Sequence, residues 1–171
     1  MCTAVIFWFT RDAAIEDLKK RFQLYAEEHI DIIENELNLN LNHLEALQLH
    51  MAQSGKISRD EFNRFVDPWV NLKSIKALEW IPRVPSSQRA AYEQEARKDG
   101  LKDFRITEKD NRGQFIPAQS RAEYFPVYFL EPLEGNNKAL GFDLASDPQR
   151  RQTLEKARDT AHPAVTERVF L

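Results

Sequence analysis

Cysteine and glycine are both scarce in this chain of 171 residues, which contains one cysteine, Cys2, and five glycines. A single cysteine excludes an internal disulfide and a cysteine-based zinc site. The sequence also lacks a glycine-rich phosphate loop and a Gly-x-Ser-x-Gly nucleophile motif. The formal net charge is -3 with both signs mixed along the chain, which argues against a nucleic-acid-binding protein.

Long hydrophobic stretches are missing as well. The most apolar run covers residues 1–9, MCTAVIFWF, whereas a membrane helix needs about 20 apolar residues. The run lacks the basic start and the cleavage site of a signal peptide. Either residues 1–10 are the end of a transmembrane helix that begins before this sequence, or they form a hydrophobic staple at a helix start. Arg11 and Asp12 follow directly, which favours the membrane helix.

Proline and glycine are absent from Arg11 to Gln53, which predicts one helix of about forty residues, or about 60 Å. Its apolar residues alternate at spacings of three and four, a heptad pattern that slips by one residue at Leu37. Either this helix packs along its own domain, or it is a stalk that pairs with a second copy. The narrow apolar seam with charged flanks favours a stalk over residues 11–54 and a homodimer through it. The seam consists of Ile15, Leu18, Phe22, Tyr25, His29, Ile32, Leu37, Asn40, Leu44, Leu47 and Met51.

Shorter helices are indicated by capping residues after Ser54-Gly55. A serine with a glutamate three residues later is a capping box, and an aspartate before a proline is typical of a helix start. A proline can also stop a helix, and a glycine is a common end. The first predicted helix begins at Ser58 with Glu61 and is stopped or restarted by Asp67-Pro68. The second runs from Ser86 or Ser87 to Gly100, and the third from Asp147-Pro148 to about Thr160.

Six further segments have the alternation or the β-branched and aromatic residues typical of strands. Neighbouring strands joined by tight turns predict an antiparallel sheet, and Gly135-Asn136-Asn137 predicts a hairpin between the fourth and the fifth strand. The fold class is therefore α+β, with a long N-terminal stalk helix followed by a PAS-like antiparallel sheet with flanking helices. The predicted strands are Leu78–Val84, Phe104–Lys109, Gln114–Ala118, Tyr124–Leu130, Ala139–Leu144 and Val165–Leu171.

A series of short motifs from Leu78 to Leu171 resembles the CHASE domain, an extracytoplasmic sensor module. No single motif is specific, but their order and spacing over more than ninety residues are. The motifs are Trp80-Ile81-Pro82-Arg83-Val84, Arg89 with Tyr92-Glu93, Arg121-Ala122-Glu123-Tyr124-Phe125-Pro126-Val127-Tyr128, Glu131-Pro132, Leu140-Gly141-Phe142-Asp143-Leu144, Arg150-Arg151, and Ala157 with Ala164-Val165-Thr166.

The resemblance implies that residues 55–171 are the membrane-distal, PAS-like lobe of a periplasmic sensor domain, truncated at its C-terminus. The family implies an inner-membrane receptor, anchored by flanking membrane spans, that binds a small molecule and signals to a cytoplasmic histidine kinase or diguanylate cyclase. Plant cytokinin receptors carry related sensor domains. No catalytic residue, metal, cofactor or nucleic-acid partner is expected for this segment.

Four residues are predicted to bind the ligand. The family pattern places Tyr124 and Tyr128 near the pocket, on alternate positions of one strand face, and Thr166 at a position where a threonine approaches the ligand. The other interpretation of the tyrosines is packing with satisfied hydroxyl groups. Arg121 precedes the strand, where its guanidinium group can clamp a carboxylate.

Arg121 also has a structural interpretation, a salt bridge to Glu123 or Asp143. Asp143 can contact the ligand or cap the following turn, and Trp80 is predicted as core. One departure from the family matters, because cytokinin receptors carry an aspartate where this chain has Pro132, which offers no side-chain hydrogen bond. Adenine-type cytokinins are therefore poor candidates for the ligand.

Two other function classes remain open. In the first, the protein is a structural module that dimerises through its helix and fills the pocket with side chains. In the second, it is a fragment of a soluble hydrolase, which needs a nucleophile within reach of a base. His43 and His50 are seven residues apart rather than the four typical of a zinc site on a helix, so they are predicted to lie on an ordinary helix face.

Overall fold

The computed structural model of the protein describes residues 2–55, 57–72 and 74–167. The chain divides into two compact units, one formed by residues up to His43 and the other beginning at Leu44. Within the described residues, all strands and the three shorter α-helices belong to the second unit. This confirms the α+β class, with a long N-terminal helix, small antiparallel sheets and flanking helices.

The first helix, α1, runs without a break from Cys2 to Ser54 and confirms the predicted continuous helix. Up to Leu37, the described apolar side chains of the seam are exposed to solvent, whereas Leu47 and Met51 are buried in the core of the second unit. Among the described helices, none combines the length and the apolar character required to cross a membrane. The assignment of residues 1–10 to the end of a membrane helix stays a prediction.

The second helix, α2, covers Arg59–Val70 and begins with the predicted capping box. The Ser58 hydroxyl accepts the N–H of Glu61, and the Glu61 carboxylate accepts the N–H of Ser58 at 2.8 Å. The expectation that Pro68 stops or restarts this helix was wrong, because the helix continues through it. Pro68 removes only one intrahelical hydrogen bond in the last turn, and Trp69 and Val70 beyond it pack against the core.

In the part of the chain that the structure describes, six short strands form three antiparallel pairs. β1 (Leu78–Trp80) pairs with β6 (Phe129–Glu131), and β2 (Val84–Pro85) pairs with β5 (Glu123–Tyr124). β3 (Thr107–Lys109) pairs with β4 (Phe115–Pro117) across a turn at residues 110–113. The predicted strands Leu78–Val84 and Tyr124–Leu130 are therefore each divided into two shorter strands.

The division arises from a mismatch in length between the two segments. Between the paired positions, residues 81–83 face residues 125–128, so three residues on one side oppose four on the other. Each segment also contains a proline, Pro82 or Pro126, which cannot donate a ladder hydrogen bond. An extra residue of this kind is a β-bulge, and it shifts the alternation of side chains between the two faces.

The predicted strand Ala139–Leu144 was wrong, because its two end residues belong to 3-10 turns at Asn137–Ala139 and Leu144–Ser146 and only isolated bridges form between them, at Phe142 and Asp143. Residues 141–144 are nonetheless hydrogen-bonded to residues 125–127, as expected for neighbours, with the N–H of Val127 donating to the carbonyl of Phe142 at 3.0 Å. On the other side, Thr107 forms a parallel bridge to Phe142. These bonds connect the three strand pairs, so that residues 141–143 lie between residues 125–127 and Thr107.

Two further helices flank the sheet. A 3-10 turn at Ser86–Gln88 precedes α3 (Arg89–Lys98), and neither Ser86 nor Ser87 forms the predicted side-chain cap because the 3-10 turn occupies that place. Asp147 caps α4 (Pro148–Thr160) as predicted. The predicted last strand is not formed at residues 165–167, where Val165 is exposed. Residues 168–171 of that strand lie outside the described residues.

The core of the second unit lies between the strands and the helices α2 and α3. It is built mainly from aliphatic and aromatic side chains, and both faces of the segment around residues 124–130 are buried. Other parts of the protein therefore cover both faces of this segment. The most deeply buried members of the core are Phe62, Val66, Val84, Ala96, Ile106, Tyr124, Val127 and Leu130.

Candidate functional site

Arg121 is engaged by two carboxylates. Its Nη1 donates to Oδ2 of Asp143 at 2.6 Å, and its Nη2 donates to Glu108 Oε2. The Asp143 side chain is fully buried, and its Oδ1 accepts the N–H groups of Phe125 and Ala145. The structure therefore contains the predicted salt bridge to Asp143, and Asp143 caps the following 3-10 turn. Glu123, the other predicted partner, pairs with Arg83 instead.

Tyr124 is buried, and its hydroxyl group is hydrogen-bonded within the protein. It donates to the carbonyl of Gln119 and accepts from the Arg121 N–H and from Nη1 of Arg89, each at 3.2 Å. Burial raises the pKa of the Tyr124 phenol, but the hydrogen bonds from Arg121 and Arg89 outweigh it, so the pKa lies below its ordinary value. The hydroxyl is thus satisfied within the protein.

Arg89 holds this region together. Its guanidinium group donates to the carbonyls of Ala118 and Ile106 and to the Glu93 carboxylate, at 2.7, 3.1 and 3.1 Å. It also lies 4.8 Å from the centre of the Tyr124 ring. The sequence motif contained Arg89, but its contacts join residues far apart in the chain and no local pattern predicts them. Arg89 fixes α3 onto the strands rather than presenting a free cation.

Tyr128 lies in an aromatic cluster with Tyr92, Phe104 and Phe129, at ring-centre distances of 5.1, 5.7 and 4.7 Å. Its hydroxyl donates to Oδ2 of Asp99 at 2.8 Å. Burial raises the pKa of the Tyr128 phenol, and the neighbouring Asp99 carboxylate raises it further. Tyr128 also lines a cleft of about 460 Å³ beside the start of α2, together with Asp99.

Three of the four predicted residues are connected, either by a direct hydrogen bond or through helix α3. The Arg121 N–H donates to the Tyr124 hydroxyl, which also accepts from Arg89 of α3. The Tyr128 ring packs against Tyr92 of the same helix. Thr166 lies half-buried in the segment after α4, and among the described residues it has no hydrogen bond to the other three. Their role in ligand binding stays a prediction.

A different cavity lies on the opposite side of the segment that carries Tyr128. This cavity of about 520 Å³ is bounded by the sheet, the turn at residues 135–139 and the start of α4. Its lining includes neither Arg121, Tyr124 nor Thr166. We call it the basic cleft, lined by Lys76, Ala77, Glu79, Lys109, Phe115, Val127, Gly135, Asn136, Lys138, Ala139, Phe142, Leu144 and Arg150.

The floor of the basic cleft is apolar and aromatic. Val127 is fully buried, and the rings of Phe115 and Phe142 meet edge to face with their centres 5.7 Å apart. Two cations lie at this floor: Lys109 Nζ is 5.8 Å and Arg150 Cζ is 5.7 Å from the centre of the Phe142 ring. An apolar floor with a few polar groups at its margin is the usual composition of a small-molecule site.

Glu79 contributes a carboxyl group to the same cleft. Burial raises the pKa of Glu79 above its ordinary value, and the positive charge of Arg150 partly offsets this. Sequence reasoning missed the cleft because its residues come from five separate segments. Local sequence carried no signal for it, because Lys109, Phe142 and Arg150 are far apart in the chain and only the fold brings them together.

Two signalling proteins of Dictyostelium discoideum are similar to this chain. Hybrid signal transduction histidine kinase A is 26% identical over 163 residues, which is 94% of this chain and 7% of that protein. The germination-specific adenylate cyclase is 23% identical over 126 residues, which is 73% of this chain and 15% of that protein. The chain therefore spans only a small part of the length of either relative.

A family model, that of the CHASE domain, matches residues 55–171. CHASE domains are extracellular sensor domains of membrane receptors. The match begins directly after α1 and includes all the strands, the Arg121 ion pairs and the basic cleft. Because it covers more than half of the chain, and because the fold is α+β with the sheet and helices described above, the protein belongs to the CHASE domain family.

Proposed function

We propose that this domain is the ligand-sensing input of a transmembrane receptor and that it binds a small molecule in the basic cleft. The observation that carries the proposal is the cleft itself, about 520 Å³ with an aromatic floor and charged margin. The cleft opens to solvent, and its volume is within the range of small-molecule sites, about 300–1,000 Å³.

In this proposal the domain lies on the extracytoplasmic side of the membrane, which is the periplasm in a bacterium, and flanking spans anchor it. The signal passes to a cytoplasmic output of the histidine kinase or diguanylate cyclase type. The CHASE assignment supports the location, and the relatives support the signalling role, since one is named as a histidine kinase and the other as an adenylate cyclase. The segment itself acts as a sensor and not as an enzyme.

The four residues predicted from the sequence have a different part in this proposal. The polar groups of Arg121, Tyr124 and Tyr128 are already paired within the protein. A ligand that used them directly would have to replace those bonds. We therefore propose that Arg121 and the two tyrosines fix the sheet that forms the floor of the cleft. Thr166 is not among the residues that line the cleft, and its contact with a ligand stays a prediction.

A thermal-shift screen of small metabolites on the full chain tests the proposal. A compound that binds only the folded state at about 100 times its Kd stabilises it by about 2.7 kcal/mol, which a melting curve detects readily. Ala139→Phe, which fills the cleft, should abolish the shift. Asn137→Phe places the same bulk on the same turn but outside the cleft lining, and should keep it.

The opposite results would contradict the proposal. A screen with no stabilising compound, or a shift that survives Ala139→Phe unchanged, would remove the basic cleft as the sensor site. The second candidate function, a structural dimerisation module without a ligand, would then be favoured, because the exposed seam of α1 would still need a partner.

A further inference from the structure

We infer that the basic cleft takes a small organic anion with a flat, apolar body, such as an aromatic carboxylate. This inference rests on the proposed function, because it names the ligand class of the same site. Three independent features of the cleft support it: its net charge, the pairing of its cations and the position of those cations relative to the aromatic floor.

Positive charge surrounds the cleft in a protein whose net charge is negative. Lys76, Lys109, Lys138 and Arg150 line it, and Glu79 is the one acidic side chain among the lining residues. Four cations and one carboxylate leave a local excess of three positive charges, whereas the whole chain carries -3. A concave site lined by one sign of charge raises the local concentration of ligands of the opposite sign.

Two of these cations are not neutralised by an ion pair. Among the described residues, neither Lys109 nor Arg150 has a carboxylate within salt-bridge distance, although Arg150 attracts Glu79 from further away. Arg89 and Arg121, in contrast, are each paired with a carboxylate on the other side of the sheet. Lys109 and Arg150 are therefore available to a ligand in the cleft, whereas Arg89 and Arg121 are not.

The aromatic floor sets the shape of the ligand. Lys109 and Arg150 both lie within 6 Å of the centre of the Phe142 ring, and Phe115 meets that ring edge to face. A flat body that packs on Phe142 brings an anionic substituent within reach of both cations. Glu79 is the one acidic side chain at this margin, and Arg150 lies close enough to offset part of the rise in its pKa that burial causes.

The test compares two probes of nearly the same shape, 2-naphthoate and the neutral 2-naphthamide. Their binding to the full chain is measured by isothermal titration calorimetry at pH 7 and low salt. We expect the carboxylate to bind about tenfold or more tightly than the amide, because hydrogen bonds to a charged group contribute about 1.5–3 kcal/mol. Arg150→Gln and Lys109→Gln should each remove most of this preference.

Lys156→Gln is the matched control, since it removes a cation from the same helix, α4, at an exposed position outside the cleft lining. It should leave the preference unchanged, and circular dichroism should show that all three variants are folded. Equal binding of the two probes, an equal loss in Lys156→Gln, or no binding of 2-naphthoate at 1 mM (about the weakest useful affinity) would overturn the inference.

The failure of this inference is distinguishable from failure of the proposed function. If 2-naphthoate does not bind but an uncharged compound from the thermal-shift screen does, and Ala139→Phe abolishes its effect, the cleft is still the sensor site and only the anion class is wrong. If no charged or neutral compound binds to the full chain, both the inference and the proposed function fail.

Discussion

At the scale of single residues, the two faces of the sheet differ in whether their charged side chains are paired. Arg121, Glu108 and Asp143 form a compact group in which every charge has a partner. Lys109, next to Glu108 in sequence, has its charge at the basic cleft instead. Adjacent residues on a strand point to opposite faces, so this one pair of neighbours separates the paired charges from the available ones.

The Arg121 ion pairs give a prediction about stability rather than about binding. Arg121→Ala should lower the free energy of unfolding by about 3–5 kcal/mol, because it leaves the fully buried Asp143 carboxylate without its cation. Arg83→Ala removes an exposed arginine that pairs with Glu123 and should cost about 0–1 kcal/mol. Urea unfolding of the two variants beside the original chain measures both values.

An equal, small loss in Arg121→Ala and Arg83→Ala would show that Asp143 does not depend on Arg121. The ion pair between Arg121 and Asp143 could be predicted in part from the sequence, where a salt bridge from Arg121 to Glu123 or Asp143 was the alternative to ligand binding. The sequence did not indicate Glu108, because Glu108 lies on β3, thirteen residues before Arg121, and only the folded β3–β4 hairpin brings the two side chains together. The basic cleft was missed for the same reason.

At the scale of elements, local signals predicted helices better than strands. The capping box at Ser58 and the cap at Asp147 depend on neighbours in sequence, and both are formed. The strands were predicted as longer than they are, because pairing depends on the opposite segment. The extra residue between β5 and β6 is visible only when residues 125–128 are set beside residues 81–83.

Gly141 explains why the predicted strand Ala139–Leu144 turns instead. Its φ is +80°, a conformation that favours glycine, and a Cβ there would lie 2.2 Å from the carbonyl oxygen of Arg105. The backbone of residues 139–142 therefore bends where a regular strand would continue. This brings the Gly141 N–H to the carbonyl of Val127 at 2.8 Å and places Phe142 in the floor of the cleft.

Gly141→Ala should lower the free energy of unfolding by about 2–5 kcal/mol, because it combines an unfavourable φ with a clash against the backbone. Gly113→Ala is the control, since Gly113 has a similar φ of +75° but open space around its Cα. It should cost about 1–2 kcal/mol, the usual cost of the left-handed conformation for a residue with a Cβ. Thermal or urea unfolding separates the two effects, and similar losses in both variants would refute the role of the close contact with Arg105.

At the scale of the whole molecule, the exposed seam of α1 requires an explanation. Phe22 is 72% and Leu18 is 68% exposed, and the next seam residues up to Leu37 are also exposed. A regular seam of this kind is typical of a helix that pairs with another helix, and the charged residues beside it, such as Lys19 and Arg21, are typical of the flanks of a coiled coil. We propose a second copy of this chain as the partner.

The homodimer predicts which engineered cysteines form a disulfide. In a Cys2→Ser background, Tyr25→Cys lies on the seam and should be oxidised efficiently to a covalent dimer, because Cα atoms must approach within about 7 Å for a disulfide. Glu27→Cys, two residues further along α1, lies on the outer face and should remain largely monomeric. Non-reducing gel electrophoresis after mild oxidation measures the dimer fraction of both variants.

The same pair of variants tests whether the domain signals through α1. A ligand shifts an equilibrium between two helix arrangements only if it binds them with different affinities. A compound that stabilises the folded chain should therefore change the rate of Tyr25→Cys cross-linking, and Ala139→Phe should abolish that change. Equal cross-linking of Tyr25→Cys and Glu27→Cys would contradict the dimer, whereas efficient cross-linking that no bound compound alters would leave the dimer and contradict its role in signalling.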